Sequence, residues 1–436
     1  MSLQDKLAAA FKGDSKNATV ENYKKEAFEA FSQKGFPTTK DEEWKYTSLR
    51  SVLKNEYGIE SAKATNITQD SITPFLVAGL DSYKLVFVDG VFQASLSDSI
   101  EEVSVKLLSE AIEDASYQEI FKNKYNTLAK GFTSLTDLNT AFTTEGVVIQ
   151  VAKSKAVSKP IELIYLASGE TSAMLLQPRN LITVGENAEV KFIERHQSVA
   201  NVATFNNVVT EVFVAKNGIF DLYKIQNDKD DASLVDATFV AQERDTVASV
   251  YTFSFGGNIT RNNLSFYQNG PGCDSILNGV TILEGSQLVD SHTLVAHKSP
   301  DCQSNETYKG VYGGKSTGVF NGKVIVDQAA QRINAYQQND SVLISDDATI
   351  NSKPQLEIFA DDVKCSHGCT IGQLDKSALF YMQQRGIPAK EAEALLMFAF
   401  CSDAIKDVKI PALKIKINQM VADKLKVNIQ FDEIAE

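Results

Sequence analysis

Apolar positions change their period as the 436-residue chain proceeds. From residue 7 to 31, and again from 105 to 141, they recur at helical spacing. Between these stretches, residues 84–88 and 91–93 read as strands flanking Asp89-Gly90, the strongest short hairpin signal a sequence offers. A proline-marked turn at 35–40 opens an acidic helix start that carries Trp44. Residues 1–145 therefore predict a mixed α/β region with a hairpin.

From 146 to 372 the helical period disappears. Short Val/Ile/Phe/Tyr-rich runs at 147–151, 161–166, 181–184, 190–193, 208–214, 323–326 and 356–359 alternate with Gly, Asn and Asp turns. The stretch from Ile182 to Val190 is echoed 30 residues on, from Val212 to Phe220. Such an array suits a β-solenoid, in which each coil buries its inward face by stacking on the next, and pattern alone leaves a large sandwich or barrel open. Past 374 the period is helical again: 377–384, then 390–407 behind Pro388, with Ala392, Leu395, Leu396, Ala399 and Phe400 on one face. A further amphipathic stretch covers 410–436. Three units follow: 1–145, a β core at 146–372, and a helical region at 373–436.

Net charge and cysteine usage narrow the function classes. A formal charge of −13 supplies no basic stripe for nucleic acid or an anionic membrane. No run approaches the length of a membrane span, and residues 1–12 are too polar for a secretory signal. Cys273, Cys302, Cys365, Cys369 and Cys401 form an odd, scattered set, unlike a disulfide framework. The expectation is a cytoplasmic protein with reduced thiols.

Candidate chemistry gathers at Cys365, His367 and Cys369. Two-residue spacing puts all three on one face of a strand, with the two cysteines about 13 Å apart. Both reach one ion only if Gly368 supplies a bend. Thiolate and imidazole are the side chains that hold iron or carry sulfur. His292 and His297, five residues apart, fall on opposite strand faces and read as separate histidines. Cys273 and Cys302 are open to a sulfur-carrying role but fit small buried hydrophobes better, and Cys401 on its apolar helix face reads as core. Gly310-Val-Tyr-Gly-Gly-Lys-Ser316 is one residue short of a phosphate-binding loop and leads into a strand-like run. Gly314-Lys-Ser-Thr-Gly318 lacks the strand-then-helix context of a nucleophile elbow. The adjacent pairs Asp346-Asp347 and Asp361-Asp362 point to opposite sides of an extended chain, which disfavours a polysaccharide-cleaving β-helix enzyme.

Several of these segments carry a family resemblance. Lys353-Pro-Gln-Leu-Glu-Ile358, Cys365-Ser-His-Gly368, Leu379-Phe-Tyr381 and Arg385-Gly-Ile387 resemble the SufB/SufD family of SUF iron–sulfur cluster assembly scaffolds. Tyr308-Lys-Gly310, Gly318-Val-Phe-Asn-Gly-Lys323 and the 35–47 tract extend the likeness over nearly the whole chain. Asp41-Glu-Glu-Trp-Lys-Tyr-Thr47, and Gly368 where the SufB branch usually has an acidic residue, favour the SufD branch. The resemblance implies a right-handed parallel β-helix acting as a non-catalytic scaffold. It implies pairing with SufB through β-helix edges, or a homodimer when isolated, and docking of the SufC ATPase on the C-terminal helices around Arg385, Gly386, Ile387 and Pro388. It assigns His367 and Cys365 to transient iron or nascent-cluster contact, with His292, His297 and Cys369 as weaker candidates. Cys369 itself departs from the small residue many members carry there. Sulfur would arrive from a cysteine desulfurase, ATP hydrolysis would reside in SufC, and a flavin is neither required nor excluded. A SufB-type paralogue and a purely architectural solenoid without metal chemistry are the alternatives.

Overall fold

The structure, a computed structural model, describes residues 2–59, 67–168, 173–199 and 202–427. Its centre is a β-solenoid of two ten-stranded sheets between which the chain alternates, so that each strand stacks on the one before last. Thus Ala232–Gln242 lies in parallel between Thr204–Val214 and Ile259–Gln268. In the other sheet Val247–Ser254 lies between Ile219–Gln226 and Asp274–Leu283. The 30-residue echo is the rung repeat itself: Ile182 stacks on Val212 and Val190 on Phe220. At the turn between them Asn187 and Asn217 both take left-handed φ, 55° and 56°, and Asn217 Nδ2 donates to Asn187 Oδ1 at 2.8 Å. Asparagine tolerates that conformation, which lets the turn recur on each coil.

Inward-facing residues such as Phe192, Phe220, Val250, Leu264 and Phe266 form the central core. The outer faces are covered too. Trp44, Leu135 and Leu138 of the N-terminal region pack on Phe205, Val235 and Ile259 of one sheet. Met397, Leu413, Ile417 and Val421 of helices Ala389–Ser402 and Pro411–Leu425 pack on Tyr223, Tyr251 and Phe253 of the other. Parallel strands covered on both faces read as continuous apolar runs, and this is why the middle of the chain lacks clean alternation. Each such side chain removed from water is worth roughly 1.5–3 kcal/mol.

The hairpin forms as expected, Tyr83–Val88 against Val91–Phe92, with Asp89 and Gly90 at φ 52° and 79°. Its first strand also runs parallel to Ile161–Ala167, so the N-terminal region contributes to a solenoid sheet. Other local expectations change. The 7–31 stretch is two helices, Leu3–Ala10 and Ala18–Lys34, because Asn17 caps the second by accepting from the Thr19 and Val20 amides. The 105–141 stretch begins as strand Ser104–Leu107 before its short helices. The acidic helix start closes after one 3-10 turn, Glu42–Trp44. In Ala389–Ser402 the buried stripe is Ala392, Ala394, Met397 and Cys401, whereas Ala399 is exposed and Leu395, Leu396 and Phe400 only half-buried. The expected tail at 410–436 is helical over Pro411–Leu425, and residues 428–436 lie outside the described residues. The glycine-rich 313–316 tract is the turn between strands Gln303–Tyr312 and Thr317–Val326. No described helix is long and apolar enough to cross a membrane.

Candidate functional site

The 356–359 run proves to be the end of a longer strand, Thr349–Ile358, and Val363–Gly372 follows it. These two strands terminate the two sheets, and beyond them the backbone edge is unpaired. Pro354 sits in the first without penalty, as a terminal strand allows. The apolar side chains of Ile358, Phe359 and Ile371 stand exposed around this end, Phe359 at 64%. Helix Lys376–Gln384 buries none of its residues and exposes Phe380 and Tyr381. A cleft of about 640 Å³ lies between it and the last rung, lined by Ile344, Ile371, Leu374, Leu379 and Met397.

Cys365, His367 and Cys369 share the inward face of the terminal strand. Gly368 makes no bend: it pairs in register with Gln338 within an unbroken strand, so the three side chains stay spread along it. Half-buried Cys365, in register with Ala335, packs at the edge of an apolar cluster that also holds Ile333, Cys302 and Cys273, and its burial pushes the thiol pKa up. Exposed Cys369 lies 3.1 Å from the Ser352 hydroxyl on the facing strand. His367, between them, is exposed, and its ring makes no hydrogen bond among the described residues. Among those residues no three His, Cys, Asp or Glu side chains converge closely enough to hold a metal ion.

The structure keeps the other candidates apart from this rung. His297 points into the solenoid, two strands below the end of its sheet, with Nε2 3.0 Å from the Ser304 hydroxyl. Burial holds its pKa down at about 4, so the ring is neutral. His292 points outward beneath the N-terminal region, Nε2 2.9 Å from Asp290 and Nδ1 3.2 Å from Glu43. Burial opposes its protonation, but the two carboxylates prevail and raise its pKa. Arg261 completes that cluster, bound to Asp290 at 2.8 Å and stacked 4.1 Å from the Trp44 ring. Cys273 and Cys302 are buried, and their thiols donate to backbone carbonyls, those of Glu243 and Gly270 for Cys273 and of Gly270 and Pro300 for Cys302. Cys401 is wholly buried under the helices. Arg385, Gly386, Ile387 and Pro388 form the loop between two helices, with Gly386 at φ 86° and Arg385 over the Tyr381 ring. Arg385 Nη2 donates to the Tyr381 hydroxyl at 3.1 Å.

Glu306 and Gln337 were not singled out by the sequence pattern. Both lie in the column directly behind His367, a position that only strand register reveals.

Comparison with known proteins covers both halves of the chain. The SufBD core domain of SUF system FeS cluster assembly matches residues 165–400, and the SufBD protein N-terminal region matches 5–163. An iron–sulfur cluster assembly SufBD family protein of Synechocystis is 30% identical over 88% of this chain and 87% of its own. The iron–sulfur cluster assembly protein SufD of Escherichia coli is 28% identical over 90% of each. A chloroplastic protein of Arabidopsis thaliana, ABCI7, is 28% identical over 95% of this chain and 87% of its own. With the solenoid and the two family-domain matches in agreement, the chain belongs to the SufBD family of the SUF iron–sulfur cluster assembly system.

Proposed function

We propose that this chain is the SufD-type subunit of a SUF scaffold, and that its last rung forms half of the surface on which a cluster is built. The observation that carries the reading is the terminal strand. It joins an unpaired backbone edge, exposed apolar side chains and an inward row of Cys365, His367 and Cys369. An open strand edge is satisfied by adding strands from another chain, here a SufB-type solenoid. Pairing edge to edge would bring partner thiolates within reach of His367, and an imidazole is a competent iron ligand. Cys365 is a secondary contact, because its raised pKa keeps it a thiol until iron displaces the proton. Cys369 is nearer solvent. Iron and sulfur are cargo at this surface, the sulfur arriving as persulfide from a cysteine desulfurase.

The exposed loop from Arg385 to Pro388, with Phe380 and Tyr381 beside it, is the docking place for a SufC-type ATPase. The chain itself acts as a scaffold in the cytoplasm. The phosphate-loop-like tract at 310–316 is the end of one strand and the turn to the next, and ATP hydrolysis is assigned to that partner. Co-expression with SufB and SufC, anaerobic purification, and comparison of His367→Ala with wild type test the reading. The expected result is an assembled complex that has lost its visible iron–sulfur absorption. Equal iron and absorption in both would leave the subunit architectural.

A further inference from the structure

One inward column of the solenoid changes character as it nears the open end. Phe192, Leu222, Val250 and Leu277 stack in register through the core, and the same column continues as Glu306, Gln337 and His367. Four apolar side chains give way to a carboxylate, a carboxamide and an imidazole, one per rung. Glu306 and Gln337 are almost entirely buried, at 3% and 2%. An interior carboxyl next to apolar packing is costly unless something uses it.

From this juxtaposition we infer that Glu306 and Gln337 are positioning residues for His367. Glu306 pins the Gln337 carboxamide, whose free oxygen accepts the N–H of one His367 ring nitrogen and leaves the other nitrogen's lone pair facing the open end.

Three observations support the assignment. Gln337 Nε2 donates to Glu306 Oε2 at 2.7 Å, so a side-chain bond already spans one rung of the column. The next rung is the same step, about 4.8 Å between strands. Gln337 Oε1 is buried without a partner among the described residues, an unfavourable state for an amide oxygen. The His367 ring, one rung above, also lacks a partner among the described residues. A carboxylate at Glu306 forces the amide to present N–H downward and oxygen upward, which is the orientation an imidazole N–H requires. Burial pushes the Glu306 carboxyl up to about 7, so it is ionised in mildly alkaline solution. A ligand imidazole held through its second nitrogen keeps one tautomer and one ring plane.

The use of this device in cluster assembly rests on the reading of His367 as an iron contact, but the hydrogen bond itself does not, and the two are tested separately. The full chain has four histidines, few enough for ring-nitrogen NMR after selective ¹⁵N-histidine labelling, with His367 assigned by the signal missing from His367→Ala. At about pH 8, where imidazole is neutral, the wild-type His367 should show one dominant tautomer. Gln337→Met and Glu306→Met, checked for folding by circular dichroism, should both relax it to the mixed ratio of free imidazole. Glu306→Gln retains an acceptor and should restore the wild-type pattern. A structural role alone predicts no such split between the Met and Gln variants. A His367 tautomer ratio unchanged in both Met variants, or a mixed ratio in the wild type, overturns the inference. Should the tautomer pattern hold while His367→Ala leaves cluster content intact, the positioning pair stands and the proposed iron role of His367 falls.

Discussion

The middle of the solenoid and its last rung are built from the same unit and live in opposite environments. In Ile219–Gln226 and Ala232–Gln242 almost every residue is buried, on inward and outward faces alike. In Thr349–Ile358 and Val363–Gly372 scarcely any is. Middle strands are hydrogen-bonded on both edges and covered by the N-terminal region or the C-terminal helices. The last two have one free edge and largely solvent-exposed outer faces, touched by the N-terminal region where Lys353 meets Glu42. A solenoid must end somewhere, and an uncapped end is an aggregation hazard unless a partner covers it. Stability resides in the middle, then, and the proposed recognition and chemistry fall at the end.

The widest gap between the two regions should appear in stability. Leu222→Ala, at a fully packed inward position, should cost about 2–5 kcal/mol. Ile371→Ala, half-exposed on the final strand, should stay within about 0.5 kcal/mol. Urea midpoints of the two variants measure this, and similar losses at both sites would mean that the last rung is as tightly packed as the middle. The converse contrast concerns assembly. The double variant Phe359→Asp/Ile371→Asp should melt like wild type yet lose at least about tenfold in affinity for a SufB-type partner, about 1.4 kcal/mol. Retained affinity in a pull-down titration would move the interface elsewhere.

A third test sharpens the line between the regions at the point where the core column turns polar. Glu306→Leu alone strands the buried Gln337 amide and should cost about 1–3 kcal/mol. Adding Gln337→Leu extends the Leu277 column and should recover most of that loss. A double variant no more stable than the single one would show that the polar pair is held by contacts beyond its mutual bond.

Much of this was legible in residue order, because local signals and tertiary demands agree there. The 30-residue echo is the stacking register of Ile182 on Val212, and the Asp89-Gly90 turn is the hairpin. The opposite faces of His292 and His297 follow from parity, and the row of Cys365, His367 and Cys369 follows from period two. Sequence pattern failed where a long-range partner decided the outcome. The apolar stripe of Ala389–Ser402 shifted because the sheet beneath it, through Tyr251, Phe253 and Val280, selects which residues are buried. Gly368 invited a bend, but continuous pairing with Ile333–Leu343 keeps its strand straight. Glu306 and Gln337 stayed invisible because an isolated glutamate in a strand-like run reads as an outward residue until register places it behind His367.

The smallest predicted effect belongs to the cover itself, where Trp44 reports on the N-terminal region and the outer sheet face. His292 is held between Asp290 and Glu43, and its pKa is raised above the ordinary 6.5 against the opposing pull of burial and of Arg261. Its imidazolium therefore favours the docked state fully below about 6.5, and that contribution fades as pH rises through the higher folded value. The hydrogen bond from His292 lowers the Glu43 pKa, with Arg261 and Lys323 acting in the same direction. For Asp290, burial works the other way, but Arg261 and His292 outweigh it and lower the pKa. The carboxylate contributions thus persist down to acid and are lost as pH falls through those depressed values. Docking should be tightest in mildly acidic solution and looser toward pH 8.5, by a few-fold at most given that Glu43 is largely exposed. Trp44 is the chain's sole tryptophan and is 3% exposed, so acrylamide quenching reads the change directly. Quenching should rise with pH in the wild type and stay flat in His292→Gln. A pH response that survives this substitution would place the sensitive group elsewhere in the cover, and the difference between covered and bare rungs would then not depend on this cluster.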